Sequence, residues 1–261
     1  MNRAFLVGIN AYPGQPLNGC VNDVNDMADF LVKNCGFQPS DIRLLVDSRA
    51  TTDNIKERLS WLTSGAAKGD RLLFHYSGHG ALFPERDNNG DIVAVHDCIC
   101  PVDFDWTREH ALFDDDLRAI IDVVPTDTEF IYVSDSCNSG DLTRVMRQYR
   151  PKYFQPPADI AWRLRTARSL GTAQSEIPHD RCGLISGCKS DQESADAVFN
   201  DRPNGALTYY LLNTLKQSNA LSVPLTSLVA GLDTTLNQNG YTQQPQLRGP
   251  DSITGKGFLS V

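Results

Sequence analysis

The 261-residue sequence predicts one α/β domain built on a mostly parallel sheet covered by helices. Short apolar runs with strand character alternate along the chain with longer segments of helical periodicity. Two of the strand-like runs end in short polar motifs, HYSGHG at 75–80 and DSCNSG at 135–140. In open α/β sheets the functional site usually lies where strands run into loops. The two motifs therefore place a histidine and a cysteine at one edge of the sheet.

The elements of the first half follow from the spacing of apolar residues. The first helix carries apolar side chains at helical spacing and ends before Gly36, and the second begins at a threonine cap, Thr51 or Thr52. Each strand is a short apolar run bounded by turn residues. The predicted strands are 3–9, 42–46, 70–76 and 129–134, with a hairpin around 92–100, and the predicted helices are 20–34, 52–62 and 115–121.

The second half contains fewer elements. A strand at 182–187, helices near 205–216 and 224–237 and a short terminal strand form a smaller part. Residues 141–181 are rich in arginine and proline, and this composition predicts an exposed loop. We therefore divide the single domain into a larger part at 1–140, a basic connecting segment at 141–181 and a smaller part at 182–261.

Composition limits the classes of function. The formal net charge of −8 argues against nucleic acid as the main partner and is compatible with attracting basic peptides. No secretory signal is visible, and no apolar run approaches the ~20 residues of a membrane helix. Seven cysteines without a disulfide-framework spacing fit a reducing compartment, so we expect a cytoplasmic protein with no membrane partner.

A cysteine and a histidine together form a minimal acyl-transfer apparatus. The thiol of Cys137 attacks as a thiolate, and the imidazole of His79 removes its proton and later protonates the leaving amine. Gly80 has no side chain, so its N–H can approach the substrate carbonyl beside the N–H of Cys137 and stabilise a developing oxyanion. This chemistry predicts a nucleophilic cysteine enzyme.

Several simpler interpretations compete with this one. A lone cysteine is more often an inert core residue than a nucleophile. His75 and His79 have the spacing of a zinc-binding helix, but the neighbouring glycines and a tyrosine in place of the glutamate base argue against it. Cys98 and Cys100 share one face of a strand and are interpreted as packing residues. The run DNNGD at 87–91 lacks the EF-hand spacing and is interpreted as a polar hairpin turn.

Taken in order, the motifs resemble those of caspase-like cysteine peptidases of the metacaspase and orthocaspase group. The resemblance covers nearly the whole chain, and DSCNSG stands in place of the animal caspases' pentapeptide around the nucleophile. It implies a caspase-like three-layer αβα sandwich with large-subunit-like and small-subunit-like parts. The matching segments are AFLVGIN at 4–10, LNGCVND at 17–23, YSGHG at 76–80, ICPVDF at 99–104, DDDL at 114–117, DSC at 135–137, LISGC at 184–188, Gln192 and GALT at 205–208.

The resemblance also assigns site residues. It places the catalytic dyad at His79 and Cys137, both intact. The pocket for the residue before the cleaved bond carries over to Cys20, Asp23, Ser77 and Asp135. Two carboxylates facing one pocket would repel each other unless a cation lay between them, so we expect cleavage after arginine or lysine. The alternative is that Asp23 caps a helix and Asp135 only satisfies turn amides.

No cofactor is expected. Calcium-dependent members of the family build an acidic site, and its aspartate pair is present as Asp114 and Asp115. The position seven residues after the nucleophile is Arg144, and the first acidic position is His96, with Asp97 beside it. Because a hard cation needs several oxygen ligands, we expect this protein to be independent of calcium and to hold no metal.

The resulting hypothesis is a cysteine endopeptidase that acts on protein or peptide substrates with Arg or Lys at the cleaved position. Related enzymes process themselves between their two parts, and we expect the segment 144–152 to be most open to such cutting. Two alternatives stay open: a cysteine enzyme of the same fold with Asp or Asn specificity or transferase activity, and a non-catalytic signalling module. By resemblance we expect a monomer.

Overall fold

The central sheet positions every functional residue. The structure is a computed structural model that describes residues 1–137, 149–169, 181–189 and 192–259. Within these residues the sheet has six strands in the spatial order β12, β9, β7, β3, β1, β2, and all pairs are parallel except β12 with β9. The strands are β1 (Asn2–Gly8), β2 (Ile42–Val46), β3 (Arg71–Ser77), β7 (Glu129–Asp135), β9 (Gly183–Ser186) and β12 (Gln246–Arg248).

Two small sheets flank the central one among the described residues. One contains β4 (Gly80–Arg86), β5 (Ile92–Ile99) and β6 (Leu112–Phe113), and the other contains β8 (Arg150–Pro151), β10 (Ala195–Phe199) and β11 (Arg202–Gly205). The helices are α1 (Cys20–Asn34), α2 (Thr52–Thr63), α3 (Asp114–Ile121), α4 (Ala158–Ser169), α5 (Ala206–Leu215), α6 (Leu225–Gln238) and α7 (Asp251–Thr254).

The two faces of the central sheet carry two separate apolar cores. One core joins a sheet face to α2 and α3, and the other joins the opposite face to α1, α5 and α6. Because alternate side chains of a strand point to opposite faces, Phe74 belongs to the first core and Leu73 to the second. Helices on both faces give the three-layer αβα sandwich, so the predicted fold class is confirmed.

Aromatic side chains bind the three middle strands together. Phe5 on β1, Phe74 on β3 and Tyr132 on β7 occupy paired positions of the parallel register. Their rings stack with centroid distances of 5.5 Å from Phe5 to Phe74 and 4.7 Å from Phe74 to Tyr132. This stack holds the strands that end in the two polar motifs.

Most predicted elements agree with the structure to within two residues, but the hairpin predicted around 92–100 is the single strand β5, which pairs with the unpredicted strand β4. The helix predicted at 20–34 has these bounds, and Thr51 caps α2 by accepting a hydrogen bond from the N–H of Asn54. The run 87–91 joins β4 to β5 as the predicted hairpin turn. The hairpin of β10 and β11 was not predicted, and the terminal strand β12 is followed by the short helix α7.

The prediction of an exposed loop in the connecting segment is wrong for residues 149–169. These residues form β8 and α4, and Lys152, Tyr153 and Phe154 between them are buried. Lysines usually lie in water, but the Lys152 ammonium has buried carboxylates as partners. Residues 144–148 of the segment expected to be cut lie outside the described residues.

In the part of the chain that the structure describes, no helix is both long enough and apolar enough to cross a membrane.

We predict that Phe74→Ala lowers the free energy of unfolding by about 3–5 kcal/mol, because the buried ring stacks on both neighbouring strands. Denaturant unfolding measures the change. Val93→Ala is the control, since Val93 is 52% exposed on β5 and its loss should change stability by no more than about 0.5 kcal/mol. A loss below about 1 kcal/mol for Phe74→Ala would mean that the stack does not hold the sheet together.

Candidate active site

The two polar motifs lie side by side at the carboxyl edge of the central sheet. β3 and β7 are neighbours, and their last residues, Ser77 and Asp135, are paired in the parallel register. His79 and Cys137 each follow two residues later, as the motif positions predicted. Both side chains are buried.

The imidazole of His79 is held in one orientation. Its Nε2 lies 2.8 Å from the carbonyl oxygen of Gln15, and its backbone N–H donates to the hydroxyl of Tyr12 at 3.0 Å. Burial lowers the pKa of His79 to about 4, although the nearby carbonyl groups of Gln15 and Lys152 act in the opposite direction. A carbonyl can only accept, so in the neutral ring Nε2 carries the proton and Nδ1 has the free lone pair.

The thiol of Cys137 is enclosed by the small-subunit-like part. The N–H of Ser194 donates to Sγ of Cys137 at 3.0 Å, and Sγ lies 3.6 Å from the carbonyl oxygen of Ser194. Tyr153 and Cys188 pack around it. Burial, followed by the hydrogen bond with Cys188, raises the pKa of Cys137 well above its usual range. In this arrangement the group is a neutral thiol.

A lysine of the chain itself fills the pocket beside this pair. The ammonium nitrogen of Lys152 lies 3.2 Å from Oδ2 of Asp23, 3.0 Å from Oδ1 of Asp135 and 2.9 Å from Oγ of Ser77. Lys152 and both aspartates are fully buried. Cys20 completes the pocket, because its thiol contacts Ser77 and the Lys152 charge acts on it. The structure thus brings the four predicted pocket residues together around one cation.

The two aspartates differ in their supporting donors. Asp23 accepts from the N–H of Gly205 at 2.9 Å, and Asp135 accepts from the N–H of Thr208 at 3.0 Å and from Oγ of Ser194 at 2.8 Å. The alternative in which Asp23 only caps α1 and Asp135 only satisfies turn amides is therefore wrong. Both carboxylates face Lys152, and their other donors lie within residues 194–208, except for Oγ of Ser77, which donates to Asp23 at 2.7 Å.

Burial and the lysine charge act on these carboxylates in opposite directions. Burial alone would raise the pKa of Asp135, but Lys152 and the hydrogen bonds from Thr208 and Ser194 outweigh it and leave that pKa lowered. The pKa of Asp23 is raised, because burial outweighs the same ammonium. Burial lowers the pKa of Lys152, yet its carboxylate partners, Asp135 first, raise it well above the usual range. The lysine is therefore charged.

The backbone around Lys152 makes strand-like main-chain hydrogen bonds with Gly80, Cys137 and Ser194. The N–H groups of Gly80 and Cys137 both donate to the carbonyl oxygen of Lys152, at 3.0 and 3.2 Å. The N–H of Lys152 donates to the carbonyl of Ser194 at 3.0 Å, and the N–H of Phe154 donates to the carbonyl of Gly80 at 2.9 Å. Residues on both sides of the Lys152–Tyr153 bond are thus fixed by main-chain hydrogen bonds.

The zinc interpretation of His75 and His79 does not fit this geometry. His75 lies within the strand β3, and its Nε2 is 3.2 Å from Oγ1 of Thr208. Cys98 and Cys100 are buried beside β4, as expected of packing residues. Among residues 1–137, 149–169, 181–189 and 192–259, no group of three or more His, Cys, Asp or Glu is placed to hold a metal ion.

Comparison with known proteins shows the family of this chain. The model of the metacaspase peptidase C14 domain matches residues 2–146, more than half of the chain. The chain is 32% identical to metacaspase-1 of Scheffersomyces stipitis, with 94% of this chain and 70% of the relative covered. This chain belongs to the metacaspase family. It is therefore a cysteine-type peptidase, a hydrolase that acts on proteins.

Further similarities extend over the rest of the molecule. The metacaspase is 32% identical to metacaspase-1 of Arabidopsis thaliana, with 91% of this chain and 65% of the relative covered. A crystal structure of a Geobacter sulfurreducens protein superposes with a TM-score of 0.74 at 26% identity, covering 100% of this chain and 98% of the other. The crystal structure of caspase-1 from Spodoptera frugiperda gives a TM-score of 0.58 at 12% identity over 95% of this chain and 86% of the other, which shows the shared caspase-like fold.

Several residues that build the metacaspase site were not found by sequence reasoning. Ser194 and Thr208 support Cys137 and Asp135, and Asp196 accepts from the N–H groups of Asn18 and Gly19 at 2.7 and 2.8 Å. Their partners are far away in sequence, and a single sequence contains no signal for such contacts. The sequence places Lys152 at the end of the segment expected to be cut, but it contains no signal that this lysine is buried between two carboxylates.

At the positions of the family's calcium site, this chain has a carboxyl group, Asp114, whose pKa is raised. Burial, then the negative charges of Asp97 and Asp115, raises the pKa of Asp114 to about 8, while Arg248 acts in the opposite direction. His96 lies 2.7 Å from the carboxylate of Glu85. Arg144 lies outside the described residues. The charges of Asp97 and Asp115 thus raise the cost of ionising Asp114, and calcium independence stays a prediction.

We predict that Asp114→Asn stabilises the protein at pH 8 by about 1–2 kcal/mol and has little effect at pH 4. The folded-state pKa of about 8 lies above the unfolded value, so the stability contributed by this group is present at low pH and is lost as pH rises to 8. Denaturant unfolding in chelator at both pH values measures the difference.

Asp53→Asn is the control for this change, because Asp53 is an exposed aspartate in the first turn of α2 and should show no such gain. A less stable Asp114→Asn protein at pH 8 would show that the carboxylate is used in its charged form.

Proposed function

We propose that this metacaspase is an endopeptidase that cleaves after lysine or arginine, with Cys137 as nucleophile and His79 as general base and acid. One observation carries the proposal. The Lys152 side chain lies between Asp23 and Asp135 while its carbonyl oxygen accepts hydrogen bonds from two N–H groups at the motif residues Gly80 and Cys137. A bound peptide substrate needs both features, a filled specificity pocket and a polarised carbonyl.

The proposed reaction begins with proton transfer from Sγ of Cys137 to Nδ1 of His79. The thiolate attacks the carbonyl carbon of the residue in the pocket, and the N–H groups of Gly80 and Cys137 stabilise the oxyanion. His79 then gives its proton to the leaving amine as the C–N bond breaks, which leaves a thioester on Cys137. Water, deprotonated by His79, hydrolyses the thioester and regenerates the thiol.

The acidic pocket explains the proposed preference for cations. Two buried carboxylates cost several kcal/mol of desolvation free energy unless a cation compensates them, so an acidic or neutral side chain in place of lysine leaves charge unpaired. An arginine guanidinium can contact both carboxylates with its planar fork. This reasoning disfavours the Asp or Asn specificity that the sequence left open.

We further propose that the protein processes itself at the Lys152–Tyr153 bond. The segment around this bond is already held by main-chain hydrogen bonds to Gly80 and Ser194, so the reaction within one chain needs no diffusion of a substrate. Cutting here frees the end that carries Lys152 and opens the pocket to other substrates. Entry of water then reduces the desolvation that raises the pKa of Cys137 and lowers that of His79.

We predict that purified wild-type protein is cut after Lys152 and that Cys137→Ala stays intact. Lys152→Arg should still be cut, because it keeps the charge between the two aspartates. Lys152→Ala should not be cut, and it should lose about 3–5 kcal/mol of stability because two buried carboxylates are left unpaired. Gel electrophoresis and mass spectrometry of the fragments measure the position and rate of cutting.

Arg150→Ala is the matched control, since this neighbouring basic residue donates to the carbonyl of Pro16 at the surface rather than entering the pocket. It should be cut at the same bond as the wild type. Cutting of the folded wild type only after Arg150, or unchanged cutting of Lys152→Ala, would contradict the proposed bond.

We predict that processed protein hydrolyses fluorogenic peptides with Arg or Lys before the cleaved bond about 100-fold faster than those with Asp or Asn, because of the acidic pocket. Cys137→Ala should lose all turnover. Calcium and chelator should give equal rates if the protein is independent of calcium. Faster cleavage after Asp would overturn the pocket assignment, and turnover by Cys137→Ala would overturn the assigned nucleophile.

We infer a cytoplasmic location and a monomeric state for the active protein. The seven cysteines are all buried and free, which supports a reducing compartment. The pocket, the two N–H donors and both members of the proposed dyad come from one chain, so no second copy is needed to complete the site. Sedimentation of the processed protein tests the monomer.

A further inference from the structure

Beyond the lysine pocket, a second side chain of the bound segment is inserted into the site. Phe154, two residues after Lys152, lies in a nest of four rings, which we name the aromatic nest. Its ring centroid is 5.2 Å from that of Phe104, 5.4 Å from His79, 5.9 Å from Tyr12 and 6.3 Å from Trp106. All four contacts are close to edge-to-face, the arrangement that aromatic rings prefer.

The backbone determines which residue enters the nest. The N–H of Phe154 donates to the carbonyl of Gly80 at 2.9 Å, and the next N–H, of Gln155, donates to Oε1 of Gln15 at 2.7 Å. Gly80 is the same residue whose N–H contacts the carbonyl of Lys152. The spacing between the lysine pocket and the nest is therefore fixed by one residue of the enzyme, and any peptide bound in this register presents its second residue after the bond to the nest.

We propose that the aromatic nest is a substrate subsite that selects an aromatic or large aliphatic residue at the second position after the cleaved bond. This inference rests on the proposed endopeptidase function. It adds a specificity determinant on the leaving side of the bond, separate from the two aspartates of the lysine pocket.

A substrate ring bound in the nest affects the environment of His79 as well as the affinity for the substrate. One of its walls is the imidazole of His79, so a ring in the nest excludes water from the proposed base and packs against it. The four side chains that form the nest are rings, and none of them is a carboxylate or an ammonium. A charged substrate residue would therefore lose hydration without gaining a partner.

The nest opens towards a larger cavity. Trp106 also borders a cavity of about 760 Å³ whose walls include Phe83, Phe113 and Ile160. Phe83 stacks on Trp106 with a centroid distance of 6.4 Å. The same cavity is also lined by charged side chains, among them Glu85, Arg108 and Asp115, so it offers room for later residues of an extended peptide beside a mixed apolar and charged wall.

The first test uses the protein's own bond. Phe154→Leu should keep the rate of cutting after Lys152 within about threefold of the wild type, whereas Phe154→Ala and Phe154→Asp should slow it about tenfold or more. Trp162→Ala is the matched control, because Trp162 is an aromatic residue of the same segment, 60% exposed on α4 and outside the nest. It should be cut at the wild-type rate.

Each substitution is repeated with Cys137→Ala, and thermal unfolding of these uncut proteins reports whether they fold. If Phe154→Ala and Phe154→Asp fold and are cut at the wild-type rate, Phe154 is only a packing residue. This result would contradict the subsite proposal. Slow cutting in proteins that unfold cooperatively near the wild-type temperature supports the subsite.

The second test uses processed wild-type protein and internally quenched peptides of sequence Arg-Pro-Lys-Tyr-Xaa-Gln. The value of kcat/KM should be about tenfold or more higher with Phe or Leu at Xaa than with Ala or Asp. Equal values within about twofold, with cleavage still after Lys, would overturn the subsite and leave the proposed function intact. If neither these peptides nor a fluorogenic lysine amide, which has no residues after the bond, were cleaved, both the subsite and the proposed function would be overturned.

Discussion

The site depends on one buried ammonium placed between two carboxylates. Lys152 lies between Asp23 on α1 and Asp135 at the end of β7, and none of the three side chains reaches solvent. Buried charges of this kind are tolerated only when they are paired and hydrogen bonded. The donors that complete the group, Gly205 and Thr208, come from the small-subunit-like part. One electrostatic group therefore joins both parts of the domain and the connecting segment.

Burial under the connecting segment sets the protonation state of the proposed catalytic residues. With the connecting segment in place, water is excluded, the pKa of His79 is lowered to about 4 and that of Cys137 is raised. Thiol and imidazole are both neutral in this arrangement, and the attacking thiolate needs a proton transfer between them. In the proposed mechanism, the bound segment occupies the position of a substrate while Cys137 is in its less reactive, protonated form.

The sequence predicts the positions of His79 and Cys137 correctly, but it does not predict the structure of the connecting segment that lies against them. The motifs around His79 and Cys137 end two strands, and the strands are adjacent in the sheet, so local patterning was sufficient to predict their proximity. The connecting segment was misjudged because its charge and proline content are typical of loops. A buried lysine has the same sequence signature as an exposed one, and only its partners distinguish the two.

The sequence by itself determined most helices and strands of the αβα sandwich and the family, because these follow from local periodicity and from short motifs, and the resemblance to that family supplied the proposed pocket residues. Tertiary structure alone decided that Lys152 enters that pocket, that two N–H groups converge on its carbonyl and that Phe154 lies among four rings. Several of these contacts join residues that are far apart in sequence, such as Lys152 and Asp23, which are 129 positions apart. They depend on how the parallel sheet brings distant strand ends together, which no local pattern encodes.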